Sequence, residues 1–125
     1  GDKIFGKPAT PQQALAMLQE LSGQTHCVMT AVVILGPVPD PGAAEAERPR
    51  YACIEKAQVT MVAAEISELD WYVSSGEPMD KAGSYALQAM GAALVESVVG
   101  DPTTVIGLPL RSSIRLLRLA GVRWP

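Results

Sequence analysis

The sequence predicts a single α/β domain, a mixed β-sheet flanked by helices. Three observations carry this. The chain has 125 residues, 48% of them hydrophobic and 18% charged, enough for one real core. Two β-rich runs, 26–35 and 51–62, stand on either side of a proline-rich stretch. Apolar residues at helical spacing, bounded by cap signals, lie before and after those runs. The predicted order is helix, strand, strand, helix, turn, strand, helix.

The first helix is announced by Thr10-Pro11-Gln12-Gln13. Thr10 is a natural N-cap, Pro11 suits the first helical position, and Gln13 completes a capping-box pattern. Ala14, Met17, Leu18 and Leu21 then recur as one buried face, and Gly23 is placed to end the helix in the left-handed conformation.

His26 to Leu35 reads as a strand and Tyr51 to Val62 as its antiparallel return. Between them, Gly36 to Arg50 holds Pro37, Pro39, Pro41, Gly42 and Pro49, which predicts an irregular solvent loop. Its length is unusual for a hairpin and suggests an insertion or a mobile flap.

The second helix is expected to start at Ser67, whose hydroxyl would cap Asp70, with Ile66 stapled on Trp71. Gly76 and Pro78 stop it. A short helix over 81–87, capped by Asp80, is expected next. Ala92 to Val99 reads as the third strand, ended by Gly100 and Pro102. The last helix spans about Pro109 to Ala120, with Leu110, Ile114 and Leu117 on one face and Arg111, Arg115 and Arg118 on another. That arginine stripe is either a solvated face or a dimer or partner surface.

Composition excludes several classes. A net charge of −3 argues against bulk nucleic-acid binding. No apolar run approaches the roughly 20 residues that span a bilayer, and the opening residues carry no signal-type stretch. Cys27 and Cys53 fall in strand-like runs and are expected to be reduced, buried thiols of a cytoplasmic protein. The missing initiator Met, and what looks like a β-turn before Ile4, suggest a piece of a longer protein.

Ser75 to Gln88 is the most polar stretch, with an acid, a lysine, a turn glycine, a phenol and a carboxamide close together. It reads better as a small-molecule site than as core. Asp80 and Lys81, adjacent on a helix, would point apart and not pair. Glu77 is either a metal ligand or a solvated carboxylate. Tyr85 either stacks on a base or packs in the core. His26, alone and distant in sequence, is expected to be structural and hydrogen-bonded across the sheet.

Four stretches together resemble the Maf family of nucleoside triphosphate pyrophosphatases. They are Gly6-Lys7-Pro8; Met17-Leu18 with Leu21-Ser22-Gly23 and Thr25-His26-Cys27-Val28; Tyr72-Val73 with Gly76-Glu77-Pro78, Asp80 to Tyr85 and Gln88; and Gly100-Asp101 with Val105 to Leu110. The resemblance implies an α/β fold with a cleft between two lobes. It implies hydrolysis of a nucleoside triphosphate, of dTTP or UTP type or a modified pyrimidine nucleotide, to the monophosphate and pyrophosphate, assisted by a divalent metal, Mg²⁺ or Mn²⁺. In this reading Lys7 binds substrate phosphate. Lys81 either reaches phosphate or ties its loop to a carboxylate elsewhere. Gln88 stands at the base-specificity position, since a carboxamide offers both donors and an acceptor to the imide edge of uracil or thymine.

The family's opening Ser-x-Ser-Pro-Arg-Arg loop and its Ala-Asp-Thr stretch have no counterpart here. The resemblance therefore covers roughly the C-terminal two thirds of a Maf domain, N-terminal part absent. It places no catalytic residue within 1–125, the general-base Asp being expected upstream, and predicts an inactive fragment. The alternative is a non-catalytic module that binds a nucleotide or a protein. A third possibility is a structural fragment whose open sheet edge pairs with another copy, a homodimer.

Overall fold

A computed structural model describes residues 3–37, 42 and 48–123. The helix α1, Pro11–Leu21, opens as its sequence dictates: the Gln13 amide donates to Thr10 Oγ1 at 3.1 Å. The reciprocal bond shifts by one residue, since Gln13 Oε1 accepts from the Ala9 amide at 2.8 Å. Ala14, Leu18 and Leu21 are buried. Gly23 takes φ 69°, the left-handed turn that releases the chain into the sheet.

Strands β1, Thr25–Leu35, and β2, Arg50–Met61, form a long antiparallel ribbon in register from Thr25 opposite Thr60 to Leu35 opposite Arg50. Its far end is clasped. The Gly36 amide donates to the Pro49 carbonyl at 2.7 Å, and Arg48 Nε donates to the Gly36 carbonyl at 2.8 Å. The expected flap between them falls largely on 38–41 and 43–47, and the expected opening turn partly on 1–2; both lie outside the described residues.

Strand β3, Val95–Val99, pairs antiparallel with β2, so the described sheet has order β1-β2-β3 and is wholly antiparallel. This corrects the expected mixed sheet. A parallel pair needs a crossover connection, and here the chain returns from α2 through short turns to run against β2. A bulge at Thr60/Met61 bends the second pairing.

Helix α2, Ile66–Ser74, begins before the expected Ser67 cap. The Glu68 and Leu69 amides already donate to the Glu65 carbonyl, and no side chain caps the end. The expected staple does not bury: Ile66 and Trp71 are 56% and 55% exposed. Helix α3, Pro102–Ile106, was read only as a strand stop, yet Asp101 caps it by accepting from the Thr103 amide at 2.8 Å. Helix α4, Leu110–Leu119, buries Ser113 and Leu116 and leaves Leu110 exposed, so its inward face is rotated from the one predicted.

The core gathers Leu18, Leu21, Val59, Met61, Leu69, Tyr72, Tyr85 and Leu94, packing α1 and α2 on one face of the sheet. Further along that face, Thr30 donates to the Thr104 carbonyl of α3 at 2.8 Å, and Ser112 of α4 donates to Glu55 at 2.7 Å. Helices therefore cover one face, not two. Met29, Val33, Leu35 and Ile54 project from the other and stay exposed. Cys27 is exposed and Cys53 half-buried, both free thiols. The expectation of two buried cysteines fails for Cys27 because odd positions of β1 face outward.

Candidate functional site

The polar segment follows α2 as a series of tight turns rather than a helix. Gly76 adopts φ 79° and starts a 3-10 turn over Glu77–Asp80, with Pro78 buried. Lys81 is extended at φ −116°, ψ 132°. A second turn, Ala82–Ser84, carries two consecutive left-handed residues, Gly83 at φ 74° and Ser84 at φ 69°. Those two angles break the expected 81–87 helix. They also place a non-glycine residue in a conformation that costs an L-amino acid about 1–2 kcal/mol. Ser84 is fully buried, and its hydroxyl donates to Met17 Sδ at 3.2 Å, which fixes the turn on α1.

The loss of that helix reverses one expectation. Asp80 and Lys81 do pair, Nζ to Oδ1 at 3.0 Å, because an extended Lys81 swings back beside its neighbour. Lys81 holds the Asp80 carboxyl below its usual range, and Lys7 adds to that pull. The Gly83 amide donates to the Gly6 carbonyl at 3.2 Å, which stitches the Lys7 segment to the same turn. The structure thus pairs Lys81 with Asp80 and ties the Lys7 segment to the adjoining turn. Pro8 is buried and Lys7 exposed, so the backbone is anchored while the ammonium is free to reach outward.

Gln88 lies beyond, on an exposed turn between Ala86 and the 3-10 segment Met90–Leu94. Glu77 ties this turn to the first: its Oε1 accepts from the Met90 amide at 3.1 Å and its Oε2 from the Gly91 amide at 2.9 Å. Tyr72, fully buried in α2, accepts the Ala86 amide on its hydroxyl at 3.0 Å. Burial, and the Glu77 carboxylate beside it, push this phenol well above its ordinary range, so it stays neutral. Sequence reasoning missed both holding roles. Neither role carries a signal in the sequence.

His26 is structural, as expected, but its bond runs out of the sheet to the polar segment. Its Nε2 lies 2.7 Å from the Tyr85 hydroxyl, which places Tyr85 in the core rather than free to stack. Two hollows lie elsewhere. One, of about 380 Å³, is lined by Ser67, Glu68, Trp71, Ala93 and Leu94; the other, of about 450 Å³, sits over Val33, Ala52, Cys53 and Ile54. Neither includes Lys7, Lys81 or Gln88.

A divalent ion is not well served here. Among the described residues no three His, Cys, Asp or Glu side chains converge as a cage. Both Glu77 oxygens are taken by amides, and Asp80 is paired with Lys81. No described helix is long and apolar enough to cross a membrane.

Lys7 and Lys81 thus sit on segments joined by the Gly83–Gly6 hydrogen bond, and Gln88 on an exposed turn that Glu77 ties to the same stretch. Residues 2–120 match the family described as Maf-like protein, and the chain belongs to that family. Over its whole length it is 40% identical to a dTTP/UTP pyrophosphatase of Myxococcus xanthus. Over 96% of its length it is 38% identical to a nucleoside triphosphate pyrophosphatase of Haemophilus ducreyi and to a dTTP/UTP pyrophosphatase of Bacillus pumilus. It spans 58%, 56% and 58% of those relatives' own lengths, respectively.

Proposed function

We propose that this chain carries the substrate-recognising part of a site that hydrolyses a nucleoside triphosphate, dTTP or UTP by preference, to the monophosphate and pyrophosphate. The observation that carries the reading is the stitched geometry around Asp80. Lys81 pairs with Asp80, and the Gly83–Gly6 hydrogen bond holds the exposed Lys7 on the adjoining segment. An anionic polyphosphate competes with Asp80 for the Lys81 ammonium and offers it and Lys7 a charge-assisted hydrogen bond each. In the transition state the same groups oppose charge building on the phosphate oxygens. Gln88 meets the base edge with a carboxamide. The names of the relatives support the substrate class.

The general base lies outside this set. Glu77 and Asp80 are the acidic side chains of the polar segment, and both are engaged by amides or by Lys81. This favours a second reading for residues 1–125 taken alone: a module that binds the nucleotide without turning it over. Calorimetric titration with dTTP and UTP, alongside a pyrophosphate-release assay, separates the two. Binding with product supports the hydrolase; binding without product supports the module; no binding overturns both.

A further inference from the structure

We propose that Glu77 and Tyr72 are positioning residues for base selection: they hold the two ends of the turn that presents Gln88, and never touch the nucleotide themselves. The inference rests on the reading of Gln88 as the base-facing group.

A carboxamide is ambidextrous. Rotated by half a turn it offers donor where it offered acceptor, so a loosely held glutamine serves cytosine as well as uracil. A fixed root limits the rotamers that bring the carboxamide to the base edge, and so the ways in which it can face the base. The tip of this turn has little packing to fix it, since Gln88, Ala89 and Met90 are exposed. Polar ties do the holding. At the upstream end the Ala86 amide donates to the Tyr72 hydroxyl at 3.0 Å, and Tyr72 is fully buried in the core. At the downstream end both oxygens of Glu77 take consecutive amides, Met90 and Gly91. The two ends almost touch: a Cβ on Gly91 would sit 2.5 Å from the Ala86 carbonyl oxygen and 2.6 Å from the Tyr72 hydroxyl. The Ala89 amide also reaches the Ala86 carbonyl, at 3.4 Å. Glu77 heads the same 3-10 turn that leads to Lys81, so the lysine segment and the Gln88 turn meet at one residue.

The test is a titration of the chain with UTP, CTP and inorganic tripolyphosphate, for wild type, Glu77→Gln, Glu77→Asp and Tyr72→Phe, each confirmed folded by its circular dichroism. Wild type is expected to prefer UTP over CTP. Glu77→Gln is expected to lower that ratio by about tenfold, the scale of one net hydrogen bond, while tripolyphosphate binding holds. Glu77→Asp should restore part of the ratio. Amide exchange at Met90 and Gly91 should quicken in Glu77→Gln. Should Glu77→Gln fail to fold, Tyr72→Phe carries the same expectation with exchange read at Ala86. A folded variant with an unchanged UTP-to-CTP ratio overturns the proposal. So does an equal loss for all three ligands, which marks a merely structural role. A wild type that binds tripolyphosphate but ignores the base overturns the reading of Gln88, and this proposal with it.

Discussion

His26 Nε2 and the Tyr85 hydroxyl lie 2.7 Å apart, joining the start of β1 to the end of the polar turns. The rings meet edge to face, 5.6 Å between centroids. Burial pushes the Tyr85 phenol up to about 12 and lowers the His26 imidazolium from its ordinary value. His26 Nδ1 is buried and has no hydrogen-bond partner among the described residues, so a proton added to the ring would leave a buried N–H without an acceptor.

That arrangement sets a pH dependence. The folded pKa of His26 lies below its unfolded value, so its contribution to stability is complete above pH ~6.5. It is lost as pH falls from there through the depressed folded value. The thermal midpoint, followed from pH 7.5 to pH 5, is expected to fall in wild type and to fall less in His26→Gln. An identical slope in both proteins counts against the role given to His26. Asp80 and Asp101, whose carboxyls are held low by Lys81 and by Thr103, titrate in a separate and more acidic window.

Gly91→Ala forces a methyl group against two backbone atoms of Ala86 as well as the Tyr72 hydroxyl. Backbone cannot swing aside as a side chain does, so overpacking of about 1–3 kcal/mol is expected. Urea unfolding of the variant measures it; an unchanged midpoint would mean that the two ends of the Gln88 turn are not in contact.

Thr10→Ala removes the acceptor for the Gln13 amide at the head of α1. The loss should be about 1 kcal/mol in the same unfolding measurement. Thr10→Ser keeps the oxygen and should recover most of it.

Lys7→Ala removes the exposed ammonium on the segment that the Gly83–Gly6 hydrogen bond ties to the polar turns. Tripolyphosphate affinity should weaken by the value of a charge-assisted hydrogen bond, about 1.5–3 kcal/mol, with the melting temperature unmoved because Lys7 is exposed. Equal affinity in the variant removes Lys7 from the site.

Much of this architecture could be read from residue patterns. Thr10-Pro11 and Gly23 marked both ends of α1, and the β-rich runs gave the hairpin. The same Asx-or-Thr-then-Pro signal stands at Asp101-Pro102 and opens α3, but a run this short has no periodicity to draw the eye. The sheet's mixed character was misread because strand direction depends on the route of the connection, which no local pattern records. The site was legible as a cluster and illegible as a geometry. Helical spacing predicted that Asp80 and Lys81 would diverge, whereas the left-handed pair Gly83 and Ser84 lets them meet. A serine at positive φ has no sequence signature. Nor does a carboxylate spent on two amides, since Glu77 looks like any surface glutamate until Met90 and Gly91 arrive beside it.

The clasp between Gly36 and Pro49, reinforced by Arg48, closes the far end of the β1–β2 ribbon. Strand alignment is then settled by the ribbon itself, from Thr25 to Leu35. Sequence added between Gly36 and Arg48 should therefore leave every rung of the ladder in place, from Thr25 opposite Thr60 to Leu35 opposite Arg50.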